Sequence, residues 1–223
     1  MIISTFRHLP WCIGSAISGS PTDFEDCHKR ATADSRNLSG QILGLVGLGN
    51  IGQAIAKRMG LGLGMKIHYF DVIRKSSAVE TQLDATFHPT MDALLGVSDC
   101  VVLCTPAGNG ALMTTETIAK MKPGSRFVNI ARGSLVDDEA VADALESNRL
   151  HAVALDVHPT EPDISPRLLK LGGTKAMLTC HNAGGTLDTH IGFEELSMRN
   201  IMAVLTGGKA ITPVNLHLLK ARI

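Results

Sequence analysis

The chain has 223 residues, of which 44% are apolar, 19% charged and only 4% aromatic, a composition that excludes a disordered chain or a coiled coil and allows roughly 70% of the extended surface to be buried. Twenty-one Lys plus Arg balance twenty-one Asp plus Glu, which leaves no basic excess for a nucleic-acid backbone or an anionic membrane. Five cysteines without a CxxC pair indicate neither a disulfide framework nor a metal knuckle, and with no signal peptide and no apolar run of about 18 residues the expected setting is cytoplasmic.

Residues 1–40 read unlike the remainder. Met1 to Leu9 reads as the last turns of an apolar helix, Gly14 to Pro21 as a Ser/Gly/Pro-rich break, Asp23 to Ala33 as charged and mixed, and Asp34 to Gly40 as a polar linker. This segment offers no strand and is expected to lie across a core built by residues further along the chain. From Gln41, short aliphatic runs alternate with longer amphipathic ones, which predicts an α/β domain with a parallel sheet and helices on both faces. Strands are expected at Ile42 to Val46, Lys66 to Phe70, Ala85 to Phe87, Cys100 to Cys104, Arg126 to Ile130, His151 to Leu155 and Ala176 to Thr179. Helices are expected at Ile51 to Leu61, Met91 to Leu94, Thr115 to Ala119, Asp137 to Ser147 and Thr186 to Leu205. The organisation is therefore a leading helix and linker over 1–40, a dinucleotide-binding domain over 41–185, and a long helix with a return tail over 186–223.

Gly47-Leu48-Gly49-Asn50-Ile51-Gly52 is a GxGxxG that comes after a buried-strand run and opens a helix, with Asp71 at the end of the next strand. That context is the Rossmann fingerprint. Gly47 permits the tight turn, Gly49 lets the backbone approach a pyrophosphate at the helix N-terminus, and Gly52 lets helix and strand pack closely, while Asp71 accepts hydrogen bonds from a ribose. The carboxylate of Asp71 repels a 2′-phosphate, so NAD is expected over NADP, with Arg74 and Lys75 offsetting part of that repulsion.

Arg132, Glu161 and His181 each fall just beyond a strand on one edge of the inferred sheet, where open α/β folds bind ligands. Together they suit hydride transfer between a nicotinamide and a 2-hydroxy or 2-oxo acid: Arg132 clamps a carboxylate, His181 exchanges the hydroxyl proton, and Glu161 holds the imidazole. Each also has a bland reading, as a surface ion-pair former, a loop residue and a turn histidine. A short-chain reductase would need Lys four residues after the sole tyrosine, Tyr69, but Ile73 stands there. Cys104 reads as a small core residue, and no His and Cys cluster has the spacing of a catalytic metal site.

Taken in order, Gly47 to Gly52 with Asp71, Cys104-Thr105-Pro106, Met121-Lys122-Pro123-Gly124, Asn129 to Gly133, Asp156 to Pro162 and His181 to Thr186 resemble the D-isomer-specific 2-hydroxyacid dehydrogenases. The resemblance implies catalytic roles for Arg132, Glu161 and His181. It also implies a cofactor site formed by Gly47, Gly49, Asn50, Ile51, Asp71, Thr105, Pro106, Ala131, Arg132, Asp156, His181 and Gly184. A homodimer acting on a small acid such as glyoxylate or hydroxypyruvate is implied by the same resemblance. Two features depart from it. The loop Ala107 to Ala111 is short, and the family's flavodoxin-like substrate domain is expected to be missing ahead of Met1, leaving the tail Pro213 to Ile223 with less to pack on. Two readings stay open: an enzyme impaired by truncation, and a catalytically silent NAD-binding or interaction module.

Overall fold

The computed structural model describes residues 1–108 and 110–214, which fall into two compact units, residues 1–180 and residues from 181 onward. In the first unit β1 (Ile42–Val46), β2 (Lys66–Phe70), β3 (Ala85–Phe87), β4 (Cys100–Leu103), β5 (Ser125–Asn129), β6 (Leu150–Leu155) and β7 (Ala176–Leu178) form one parallel sheet in the order β3-β2-β1-β4-β5-β6-β7. All seven expected strands are present, with ends within one residue of expectation. Strands β1 and β4 are apolar throughout because both faces are covered. Leu43, Leu45, Val102, Val128 and Ala154 face one layer, and Val46, Val101, Leu103, Phe127, Val153 and Leu155 face the other.

The first layer comes from α1 (Ile2–Arg7), α4 (Asn50–Lys57) and α5 (Ser77–Leu83), and the second from α6 (Met91–Val97), α7 (Thr115–Lys120), α8 (Asp138–Glu146) and α9 (Pro166–Leu171). The helix expected to reach Leu61 keeps α-helical form only to Lys57 and then continues as a π-helical turn over Arg58–Gly62. Helices α5 (Ser77–Leu83) and α9 (Pro166–Leu171) lie outside the sequence-based expectation.

The largest difference from the sequence reading lies before Gln41. The Ser/Gly/Pro-rich break is helical as far as Ile17, in α2 (Leu9–Ile17), with Ser18 to Ser20 left between helices, and the mixed segment is helical as α3 (Pro21–Asp34). Ser20 caps α3 by accepting from the Asp23 N–H at 3.3 Å, and Pro21 occupies the first turn, where its missing donor is not needed. His8, in the left-handed conformation (φ 49°, ψ 39°), separates α1 from α2, and its Nε2 lies 3.1 Å from His151 Nε2. Helix α1 is fastened to the sheet by Phe6, which is fully buried, and by buried Arg126 on β5. Arg126 Nε donates to Thr5 O at 3.1 Å, and the guanidinium carbon sits 4.2 Å from the Phe6 ring centre, a cation–π contact inside an apolar layer.

In the second unit α10 (Leu187–Leu205) matches the expected long helix; Thr186 caps it by accepting from the Thr189 N–H at 3.1 Å. Asn200 holds the returning chain, its Oδ1 accepting from the N–H groups of Ile211 (2.9 Å) and Thr212 (3.0 Å). Residues 215–223 of the expected tail lie outside the described residues, as does Asn109 of the short loop. No helix among the described residues is long and apolar enough to cross a membrane.

Candidate dinucleotide turn and catalytic loops

Strand β1 pairs with β2 on one side and β4 on the other, so chain order reverses beside it. The carboxyl end of such a strand opens into a crevice where α/β sheets bind ligands. The glycines just after β1 differ in what surrounds them. Gly47 has φ +100°, and a Cβ there would lie 2.9 Å from Cys104 O. A Cβ on Gly52 would lie 2.3 Å from Gly47 O, a distance no side chain tolerates. A Cβ on Gly49 would meet nothing within 4 Å. Two glycines thus close the turn, while the third, at the N-cap of α4 with Asn50 and Ile51 just inside the helix, leaves room beside the N–H groups of the first helical turn. An anionic pyrophosphate fits that combination of open space and positive helix end.

Cys104 tightens the same turn from β4, its thiol donating to Gly47 O at 2.9 Å. Burial pushes this thiol up to about 12, with Asp71 adding to the effect, so it packs and does not act as a nucleophile. Thr105 beyond it is half-buried and Pro106 exposed.

Asp71 stands one residue past β2. Its Oδ2 accepts from the Leu48 N–H of the glycine turn at 2.8 Å and from Lys75 Nζ at 3.1 Å, and its Oδ1 accepts from the Ile73 N–H at 3.4 Å. Burial alone would raise the carboxyl pKa, but these donors outweigh burial and hold it below the usual range. The two cations beside Asp71 therefore play different parts. Lys75 pairs with Asp71, whereas Arg74 turns away: its Nε and Nη2 each reach Glu80 at 2.9 Å, and its guanidinium lies over Phe87. Tyr69 OH also donates to Glu80, at 2.6 Å. The Arg74 fork and then the Tyr69 hydroxyl bring Glu80 down to about 2.

On the other side of the switch point, two loops are locked together. Buried Asn129 ends β5, with Oδ1 accepting from the Ala131 N–H and Nδ2 donating to Arg132 O, both at 3.0 Å. Gly133 then presses against the loop after β6: a Cβ there would fall 2.0 Å from the carbonyl carbon of His158. In that second loop Glu161 Oε1 accepts from the His158 N–H at 2.9 Å. Buried Asp156 accepts from Thr179 Oγ1 at 2.6 Å, and His158 Nε2 lies 3.0 Å from Thr179 O. The first unit thus seats Arg132, itself exposed with Nη1 on Ala131 O at 2.6 Å, and Glu161 on two mutually fixed loops. Asn129, Gly133 and His158 do the fixing. Sequence reasoning gives none of the three a role: Gly133 and His158 meet partners that only the sheet order brings near, and the bonds Asn129 makes within its own loop leave no mark in composition or periodicity.

His181 opens the second unit in the left-handed conformation (φ 54°) and is exposed, as is Gly184. The Gly185 N–H donates to Asn182 O at 2.9 Å, forming a tight turn ahead of α10. Among the described residues no group of three His, Cys, Asp or Glu side chains is placed to hold a metal ion.

Residues 1–183 match the family model described as "D-isomer specific 2-hydroxyacid dehydrogenase, NAD binding domain". The chain is 38% identical over 188 residues to the glyoxylate reductase of Pyrococcus horikoshii, covering 83% of this chain and 55% of that protein. It is 33% identical over 181 residues to the 2-ketogluconate reductase of Gluconobacter oxydans, covering 80% and 56%. Among solved structures, the apo form of Rhodotorula graminis D-mandelate dehydrogenase aligns over 96% of this chain and 63% of its own, with a TM-score of 0.93 at 36% identity. The chain spans about half the length of the first two of these relatives.

The contrast between Gly49 and Gly52 yields a paired test. Gly49→Ala should keep unfolding stability within about 1 kcal/mol while lowering dinucleotide affinity by at least about tenfold, because the methyl enters open space beside the helix end. Gly52→Ala should destabilise the fold itself by roughly 2 kcal/mol or more, because backbone must move. Denaturant melts and calorimetric titration on both variants measure the two effects; equal stability losses would contradict the assignment.

Proposed function

The chain belongs to the D-isomer-specific 2-hydroxyacid dehydrogenase family through its NAD-binding domain, and from that premise we propose that it binds NAD(H) and serves the interconversion of a small 2-oxo acid and its 2-hydroxy acid. The observation that carries this reading is the glycine turn, closed at Gly47 and Gly52 and open at Gly49, with Asp71 hydrogen-bonded into it. When bound, the cofactor supplies or accepts the hydride. Gly49, Asn50 and Ile51 would offer backbone donors to its pyrophosphate, Gly47, whose N–H donates to Phe70 O, would shape the turn around it, and Asp71 would take the ribose hydroxyls. Thr105, Pro106, Ala131, Asp156 and Gly184 flank the nicotinamide side. Arg132 presents its planar fork to the substrate carboxylate. His181 gives a proton to the carbonyl oxygen during reduction and takes it back during oxidation, and Glu161 favours the protonated imidazole. A two- to three-carbon acid of the glyoxylate or hydroxypyruvate type is the proposed substrate, supported by the name of the glyoxylate reductase relative. Isothermal titration should give an NAD Kd between about 1 μM and 1 mM. NADH absorbance with glyoxylate should fall in the wild type, and His181→Ala should slow this by about 10² to 10⁴ while leaving NAD affinity within about tenfold. NAD binding without turnover would favour the silent module instead; loss of both would reject the reading.

Cofactor choice rests on Arg74 as well as on Asp71. Glu80 occupies the Arg74 fork, so less of that cation is offered to a 2′-phosphate. Glu80→Gln removes an anion and releases a cation together, while the amide oxygen still accepts from Tyr69. The ratio of NADP to NAD affinity should therefore rise by about threefold or more. An unchanged ratio in parallel titrations would mean that Asp71 alone sets the preference.

The proposal extends to a homodimer, supported by the apolar residues Leu187, Phe193, Met202 and Leu205 of α10, which are 61% to 80% exposed, and by the frequency of twofold dimers. Sedimentation should give twice the chain mass of 23.7 kDa at micromolar concentration; a monomer throughout would refute it.

A further inference from the structure

Helices α2 and α3 pack as a hairpin, and a cavity of about 570 Å³ opens beside it. Two cysteines that the proposed chemistry does not use line this cavity, one from each helix. The Cys27 thiol points at Cys12 Sγ at 3.9 Å, and the Cys12 thiol points at Arg7 O at 3.7 Å. Cys27 is 4% exposed, whereas Cys12 is partly open to solvent. An accessible sulfur thus stands in contact with a sheltered one, the arrangement of an attacking and a resolving thiol. The charge around them is one-sided: Arg7 and Arg36 line the cavity, and no carboxylate does. In a chain whose formal net charge is zero, this is a local excess of positive charge.

We propose that Cys12 and Cys27 are a dithiol that an anionic low-molecular-weight disulfide of the glutathione class oxidises to an intrachain disulfide joining α2 to α3, with the basic cavity receiving the reagent's carboxylates. The thiolate of Cys12 attacks one sulfur of the reagent, forming a mixed disulfide and expelling one thiolate. The thiolate of Cys27 then attacks Cys12 Sγ, forming the Cys12–Cys27 bond and expelling the second thiolate. The two protons lost by the cysteines end on the two released thiols, so the protein loses two electrons and the reagent gains two. The sulfurs must close to about 2.0 Å for this bond. Burial, and then Cys27 beside it, push the Cys12 thiol above its ordinary value while Arg7 pulls it down, so the thiolate is the minor form and the reaction speeds up as pH rises. Cys100 and Cys104 do not compete, both being raised to about 12 by burial.

Cys180 is exposed, so the test uses the full chain carrying Cys180→Ser, treated with glutathione disulfide or with uncharged hydroxyethyl disulfide and monitored by intact mass and peptide mapping. The expected product has lost two hydrogens and carries a Cys12–Cys27 cross-link that dithiothreitol reverses. Cys12→Ser should abolish it. Glutathione disulfide should react several-fold faster than the uncharged reagent, and Arg36→Gln should remove most of that advantage. A product that stops at one glutathione adduct, or no modification of a folded sample, would overturn the dithiol. Equal rates for the two reagents would overturn the anion site.

Discussion

Three stretches of backbone crowd into one small volume at the end of β1, and the geometry of the proposed cofactor site depends on that crowding. Gly47 lies against Cys104 O, Gly52 against Gly47 O, and the Leu48 N–H is held by Asp71. The first contact joins β1 to its neighbour β4, the second presses α4 onto the turn, and the third ties in the end of β2. Gly47 and Gly52 carry no side chain at their contact points because there is no space for one. Apolar burial on both faces of β1 and β4 supplies the force that holds the backbones together. The space left open at Gly49 is therefore a by-product of tight packing on either side of it.

The other half of the crevice uses the same device with different residues. Gly133 gives up its side chain so that the loop after β5 can lie on the loop after β6, and buried Asn129 bridges its own loop with donor and acceptor together. A fully buried amide is tolerated because both of its ends are satisfied. Arg132 and Glu161 then extend from a fixed frame rather than from independent loops.

Much of this is legible in the sequence, for reasons that are local. Cys100 to Leu103 is continuously apolar because its strand is covered on both sides, and the GxGxxG is visible because each glycine answers to nearby backbone. The features that escape a sequence reading depend on distant partners or on weak signals. Residues around Gly14 look like a loop by composition, yet they belong to helix α2, while the Ser20-Pro21 start of α3 carries a cap signature that the surrounding Gly and Ser obscure. The division of labour between Arg74 and Lys75 cannot be read from two adjacent cations, since it depends on where β3 places Phe87 and where α5 places Glu80.

The fastening of α1 carries a consequence for how the chain is assembled. Phe6 and Thr5 find their partner Arg126 on β5, and His8 finds His151 on β6, so the helix precedes in synthesis every strand it rests on. Strand β1 has the same difficulty, since one of its two edges waits for β4. During translation the apolar side of α1 and half of the central strand remain unsatisfied until most of the sheet has emerged from the ribosome, which makes late-stage nascent chains the form most exposed to chaperones and to aggregation.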